Sequence, residues 1–332
     1  MVSNTKVIYK AHPKGLPTVN NNFEIIKEEL DLDNVSLEKD QLLVRNLYAS
    51  VDPYMRGRMR PSEVESYFQG FQLNKPLNGG IVSEVITSKS DKFKKGDIVV
   101  AFGDWSEYAI VSAARTNLIP NGRESKVPLT YYLGITGMPG ATAYVGLHTI
   151  CEPIKQGETI FISAASGAVG QVVGQYCKQL GLRVVGSAGS DDKVEYLLKE
   201  LNFDAAFNYK KYDDLVPVLK EHCPNGIDIY FENVGGKTLE AVLEVANDKC
   251  HIPACGMISQ YNKGKESDGI HNLTQIIGKR IRIEGFIVND RLDLFPKAFE
   301  TFGKYLAEGK MKYKEHLTEG VENLPTAFID ML

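Results

Sequence analysis

Along the second half of the chain, short apolar runs alternate with segments whose apolar residues recur every three or four positions. Residues 159–163 (TIFIS) are such a run, and they feed a glycine-bearing turn, AASGAVG. After it, Val169, Val172, Val173, Tyr176, Cys177 and Leu180 fall at i, i+3, i+4, i+7, i+8 and i+11, with Gly181 in the capping position. That spacing predicts an amphipathic helix whose apolar stripe packs on a sheet. A strand is expected at 183–188, then a helix with Val194, Leu197, Leu198 and Leu201 on one face. Further strands are expected at 205–208, 227–231, 251–258 and 281–286. Strands and helices alternating at this length specify an α/β unit built on a doubly wound parallel sheet. Beyond residue 290, Phe295, Ala298, Phe299, Phe302, Tyr305 and Leu306 mark one more amphipathic helix, in a tail expected to return to the first domain.

Before residue 130 the grain differs. Short alternating stretches at 41–47 and 96–101 are punctuated by Pro53, Pro61, Pro76, Gly79 and Gly80, which predicts a β-rich unit with tight turns. The expected organisation is therefore a β-rich domain at 1–130, a dinucleotide-type domain at 131–289 and a returning tail at 290–332. No internal repeat interrupts it, and 332 residues suit two domains.

Charge and composition narrow the partners. Lys plus Arg number 38 against 42 Asp plus Glu, so no basic surplus exists to attract nucleic acid or an anionic membrane surface. No apolar run approaches the ~20 residues of a membrane span, and the N-terminus lacks a signal-peptide core, so a soluble protein is expected. Five cysteines (Cys151, Cys177, Cys223, Cys250, Cys255) are an odd number in a long chain, which argues against a disulfide framework and for a reducing, cytoplasmic setting.

The turn at 164–170 keeps Gly167 and Gly170 of a GxGxxG fingerprint but has Ala165 in place of its first glycine. Alone the match is weak, since a tight strand-to-helix turn without a ligand would look the same. Its setting between strand and helix, where free N–H groups and the helix dipole receive a pyrophosphate, points to a dinucleotide. An NAD site would place a carboxylate near the end of the second strand. Here the strand ends VVGSAGS, and Lys193 opens the next helix where its ammonium meets a 2′-phosphate. Asp191 and Asp192 are ordinary first-turn residues of that helix. The predicted cofactor is NADP(H).

Eight blocks carry a resemblance that runs nearly end to end: SVDPYMRGRM (50–59), GMPGATAYVGL (137–147), AASGAVGQVVGQ (164–175), VVGSAGSDDK (184–193), FNYK (207–210), YFENVGG (230–236), CGMISQYN (255–262) and EGFIV (284–288). The chain resembles the zinc-independent medium-chain dehydrogenases/reductases, in the prostaglandin reductase and alkenal double-bond reductase branch. The resemblance implies a GroES-like catalytic domain, a Rossmann NADP-binding domain and a homodimer. It assigns Gly167, Ala168, Val169 and Gly170 to the pyrophosphate, and Lys193 and Tyr209 to the 2′-phosphate. Asn233, the segment Cys255, Gly256, Met257, Ile258, Ser259, Gln260, Tyr261, and the run Phe286, Ile287, Val288 line the adenosine-to-nicotinamide path. Tyr54 and Tyr261 face the substrate.

No zinc site can be assembled from the sequence. The first 150 residues hold no cysteine and only His12 and His148, and Leu77-Asn78-Gly79-Gly80 stands where zinc-dependent relatives have a Gly-His-Glu turn. Cys250 and Cys255 lack a second pair and suit buried thiols better. The implied reaction is reduction of the C=C bond of an enal or enone, with hydride passing from NADPH to the β-carbon. The oxyanion would be met by the nicotinamide ribose hydroxyl and the Tyr261 phenol, and the α-proton would come from Tyr261 or water. NADPH:quinone reduction uses the same scaffold, and a non-catalytic NADP(H)-binding sensor or scaffold is the alternative of another class. In the family, the stretch matching LPTAFIDML, with Leu324, Ala327, Phe328 and Leu332 on one face, leads into a Gly-x-Asn-x-Gly-Lys turn and a last strand, so a further C-terminal segment is expected in the natural protein.

Overall fold

Alternation of apolar and polar residues builds the first of two units, Met1–Leu133 together with His316–Leu332. The computed structural model describes residues 1–332, the side chain of Lys265 excepted. Strands β1 (Val2–Tyr9) and β2 (Phe23–Leu30) form an antiparallel ribbon, joined through a helical turn α1 (Val19–Asn22). A five-stranded antiparallel sheet follows, from β3 (Gln41–Ala49), β4 (Asn78–Ser88), β5 (Ile98–Asp104), β6 (Tyr108–Ser112) and β7 (Asn117–Leu118), in the order β6-β3-β4-β5-β7. The short helix α2 (Tyr54–Arg58) leaves β3. Inward residues Leu42, Val44, Ile81, Val85, Val99 and Val111 make one core of this unit, and Tyr9, Met55, Leu77, Trp105 and Phe328 belong to another.

The second unit, Gly134–Glu315, alternates helix and strand. In order they are α3 (Met138–Ile150), β8 (Thr159–Ile162), α4 (Gly170–Gln179), β9 (Arg183–Ala188), α5 (Asp191–Lys199), β10 (Ala205–Asn208), α6 (Leu215–His222), β11 (Ile227–Phe231), α7 (Gly236–Val245), β12 (Ala246–Ala254), α8 (Thr274–Lys279), β13 (Arg282–Gly285) and α9 (Phe295–Ala307). A last helix, α10 (Leu324–Met331), belongs to the first unit. The six strands run parallel in the order β10-β9-β8-β11-β12-β13, the doubly wound order of a Rossmann domain. Phe161, Phe207 and Tyr230 stack face to face through its core, at 5.9 and 5.3 Å between centroids.

Three boundaries differ from those the pattern predicts. The strand expected at 251–258 begins at Ala246 and stops at Ala254, because the amides of Cys255 and Gly256 both turn to the carbonyl of Glu232. The strand expected at 281–286 ends at Gly285, where Phe286 leaves to pack edge-on against Phe231. The tail expected to return from residue 290 stays in the second unit as far as Glu315. Its Phe302 is buried edge-on to the rings of Tyr144 and Tyr176, 6.2 and 5.4 Å away, which holds α9 there. Leu198, expected on the packed face of α5, is 39% exposed.

Helix α4 lies unusually close to its neighbours. A Cβ on Gly174 would sit 2.0 Å from the buried ring of Phe203, and one on Gly170 would sit 2.6 Å from the carbonyl of Ala164. Gly174→Ala gains ~1 kcal/mol of helix propensity but forces Phe203 out of its seat, an overpacking cost of ~1–3 kcal/mol. A net loss of stability is expected, read as a lower urea midpoint at unchanged m-value. A midpoint at or above wild type would show that Phe203 has room to move.

Candidate active site

In the doubly wound sheet the connections leave β8 and β11 in opposite directions, so the crevice of the second unit opens at the carboxyl ends of these two neighbours. The residues that follow them are tied together. Ser163 Oγ accepts the Asn233 amide at 3.0 Å, and Asn233 Nδ2 donates to the Ser163 carbonyl at 2.8 Å. From β8 the chain passes through Ala164, held at φ 48°, into a turn in which the Gly167 amide reaches the Ala164 carbonyl at 2.9 Å. Gly167 and Ala168 are exposed and Val169 half-buried, while Gly170 begins α4. The predicted pyrophosphate residues thus form the exposed amino-terminal turn of a helix, a natural seat for anionic oxygens.

Beside them, β9 and β10 pair in parallel, so their ends lie together. β9 ends in Gly186, Ser187 and Ala188, with Gly189 after it, and no carboxylate projects from this edge. Lys193, on the first turn of α5, and Tyr209, directly after β10, are both exposed. The Tyr209 hydroxyl and Lys210 Cε lie over Gly189, each 3.4 Å from where its Cβ would stand. Asp191 is engaged elsewhere. Its carboxylate binds Lys211 Nζ at 2.8 Å and Asn208 Nδ2 at 3.0 Å, and these hydrogen bonds hold its pKa below the usual range.

On the other side of the crevice, the segment from Cys255 to Tyr261 folds over the turn after β11. The amides of Ile258 and Ser259 reach the carbonyls of Asn233 and Val234, each at 3.1 Å, and Ser259 Oγ donates to the Val234 carbonyl at 2.6 Å. Met257 donates its amide to the Tyr261 hydroxyl oxygen at 3.2 Å. A phenol oxygen that accepts from an amide becomes a better O–H donor in turn, because neighbouring hydrogen bonds polarise one another. Gln260 binds Asp268 and its neighbour Ser259. Cys255 is half-buried, and desolvation together with the Glu232 charge pushes its thiol pKa up to about 12. Phe286, Ile287 and Val288 are half-buried, and Phe286 is seated against Phe231 where Gly146 lacks a side chain.

Tyr54 belongs to the first unit, on α2, its ring 5.6 Å from that of Phe68. Arg58, four residues on, is buried with its guanidinium 4.4 Å over Phe68 and 3.9 Å over Phe71. It donates to the Gln69 carbonyl, to the Asn78 carbonyl and to Asn78 Oδ1. Burial lowers the Arg58 pKa to about 10 and raises that of Asp52 to about 6, the latter opposed by a Ser50 hydrogen bond. Burial likewise holds the Tyr54 phenol well above the ordinary range, against the Arg58 charge and hydrogen bond.

Sequence reasoning singled out neither Arg58 nor the trio Ser163, Tyr230 and Glu232. Glu232 is fully buried, yet it stands beside the turn-forming Asn-Val-Gly-Gly, where a carboxylate looks solvated. Among the described residues, no group of three or more His, Cys, Asp and Glu side chains is placed to hold a metal ion, and no helix is long and apolar enough to cross a membrane.

Residues 5–119 match the family model described as the N-terminal domain of oxidoreductase, and residues 168–304 match the one described as zinc-binding dehydrogenase. The chain is 46% identical over 336 residues to 2-alkenal reductase (NADP(+)-dependent) of Nicotiana tabacum, covering 99% of this chain and 94% of that protein. It is 40% identical to prostaglandin reductase 1 of Rattus norvegicus, covering 97% and 94%. The crystal structure of CurA from Vibrio vulnificus in complex with NADPH superposes with a TM-score of 0.89 at 38% identity, covering 98% of this chain and 95% of that one. With glycine turn, sheet order and strand-end segments all in place, the chain belongs to the medium-chain dehydrogenases/reductases, in the branch of NADP-dependent alkenal and prostaglandin reductases.

Proposed function

We propose that this protein is an NADPH-dependent oxidoreductase that reduces the C=C bond of α,β-unsaturated aldehydes and ketones. The observation that carries the reading is the Tyr261 phenol, whose oxygen accepts the Met257 amide beyond the carboxyl end of β12, where doubly wound sheets place their ligands. The activities named for the tobacco and rat relatives support the same substrate class.

The cofactor fits the residues present. Gly167, Ala168, Val169 and Gly170 would hold the pyrophosphate at the start of α4, and the exposed Lys193 and Tyr209 would hold the 2′-phosphate. Asn233, residues 255–261 and residues 286–288 line the remainder. Bound NADPH supplies the hydride for the β-carbon. As charge builds on the substrate carbonyl oxygen, Tyr261 donates a hydrogen bond to it and stabilises the enolate without a Lewis acid. A homodimer in the cytoplasm is the assembly and setting the family resemblance implies, and the five free thiols suit such a reducing setting.

Cofactor preference tests the phosphate site. One charge-assisted contact to phosphate contributes ~1.5–3 kcal/mol, so NADPH should bind roughly tenfold to over a hundredfold tighter than NADH. Lys193→Ala should erode that preference while leaving NADH binding nearly unchanged, as measured by titration. Equal use of both cofactors by the wild-type protein would overturn the assignment.

Turnover of a simple enone with NADPH tests the activity itself. Tyr261→Phe should lower kcat and spare NADPH affinity, the loss approaching ~2.7–4 kcal/mol if the phenol acts alone on the oxyanion. Added chelator should change neither protein's rate. Reduction of quinones with no turnover of enones would transfer the site to the sister activity. An unchanged kcat in Tyr261→Phe, with the hydride step rate-limiting, would reduce the tyrosine to a wall of the pocket.

A further inference from the structure

Glu232 takes no part in the chemistry above, yet its bonding is the densest in the crevice. One carboxyl oxygen, Oε1, accepts from the Val234 amide at 2.6 Å, the Gly235 amide at 2.8 Å, the Tyr230 hydroxyl at 2.7 Å and Ser163 Oγ at 3.4 Å. The other, Oε2, is buried without a partner. Burial pushes the pKa of this carboxyl above the ordinary glutamate range, against the hydrogen bonds from Gly235, Tyr230 and Val234. The donors thus converge on one oxygen, which alone carries the carboxyl group's bonding to the chain around it.

The backbone explains what this bonding does. The amides of Val234 and Gly235 point in at Oε1, and the carbonyls on the same stretch of chain receive the segment that ends in Tyr261. Glu232 takes Cys255 and Gly256, Asn233 takes Ile258, and Val234 takes Ser259. The two segments also interlock sterically, since a Cβ on Gly235 would lie 2.8 Å from that of Met257. Met257 in turn carries the amide bound to the Tyr261 hydroxyl.

We infer that Glu232 is a positioning residue: by fixing the turn at residues 233–235 through Oε1, it sets the place of the segment from Cys255 to Tyr261 and hence of the Tyr261 phenol. The inference rests on the reading of Tyr261 as the oxyanion donor. A double-mutant cycle on the NADPH-dependent enone reaction tests it. Glu232→Ala should lower kcat about tenfold with the enone KM within about threefold of wild type, and should lower it less than about twofold when Tyr261 is already Phe. Glu232→Gln, which offers the same carbonyl oxygen to Val234 and Gly235, should restore kcat to within about threefold. If the alanine variant does not fold, Glu232→Asp, which withdraws the oxygen by one methylene, takes its place in the cycle with the same non-additive loss expected. Equal losses in both backgrounds, or a glutamine variant no better than alanine, would overturn the positioning role while leaving Tyr261 as donor. Wild-type kcat in Tyr261→Phe alone would overturn the reading of Tyr261, and the positioning role with it.

Discussion

The Phe203 ring packs where α4 and β9 carry bare glycines, and the crevice of the second unit depends on that packing. Gly186 of β9 could not carry a Cβ, which would lie 2.7 Å from that of Ala165 and 2.9 Å from the Phe203 ring. Gly170 and Gly174 face the same limit from the helix side. Three missing side chains therefore admit the Phe203 ring and let the start of α4 close on the turn at Ala164 and Ala165 after β8. The same need for closeness explains Ala165, the departure from the full glycine fingerprint. It is completely buried and turned toward the sheet, so a methyl group there fills space away from the exposed Gly167.

On the opposite wall, hydrogen bonds take over from packing. Ser163, Tyr230 and Glu232 are buried polar groups in a core that elsewhere is aromatic and aliphatic, and polar groups in such surroundings are tolerated when they are bonded to one another. Their network ties the end of β8 to the end of β11, and the backbone beyond ties β11 to the segment after β12. One wall is thus set by the absence of side chains and the other by a bonded cluster. Rigid elements on both sides are what an oxyanion donor requires, since a donor that must reorganise gives up much of its advantage.

Elements with one packed face were legible in the sequence. In α9, Phe295, Ala298, Phe299, Phe302, Tyr305 and Leu306 recur at helical spacing, and Ala298 and Phe302 in the middle of that stripe are buried while Lys297, Glu300 and Lys304 are exposed. The absence of a carboxylate at the end of β9 was equally plain, because strand pairing places Tyr209 beside it once the sheet order is known. Helices buried nearly all round were not legible. In α3 nine of 13 residues are buried, so no polar face remains to mark a period. Glu232 was hidden for a related reason: its burial comes from segments distant in sequence, and its local context, Asn-Val-Gly-Gly, is that of a surface turn. The end of β12 was misplaced by the apolar residues Met257 and Ile258, which continue the strand pattern while their backbone is already turning toward Asn233.

The central claim, hydride delivery to the β-carbon of an enone, is tested most directly by following the label. With NADPH deuterated at both C4 positions and a simple enone in ordinary water, the product's deuterium is located by NMR. The account predicts one deuterium on the β-carbon, ordinary hydrogen added at the α-carbon, and an intact carbonyl. Deuterium on the carbonyl carbon, giving an allylic alcohol, would contradict it.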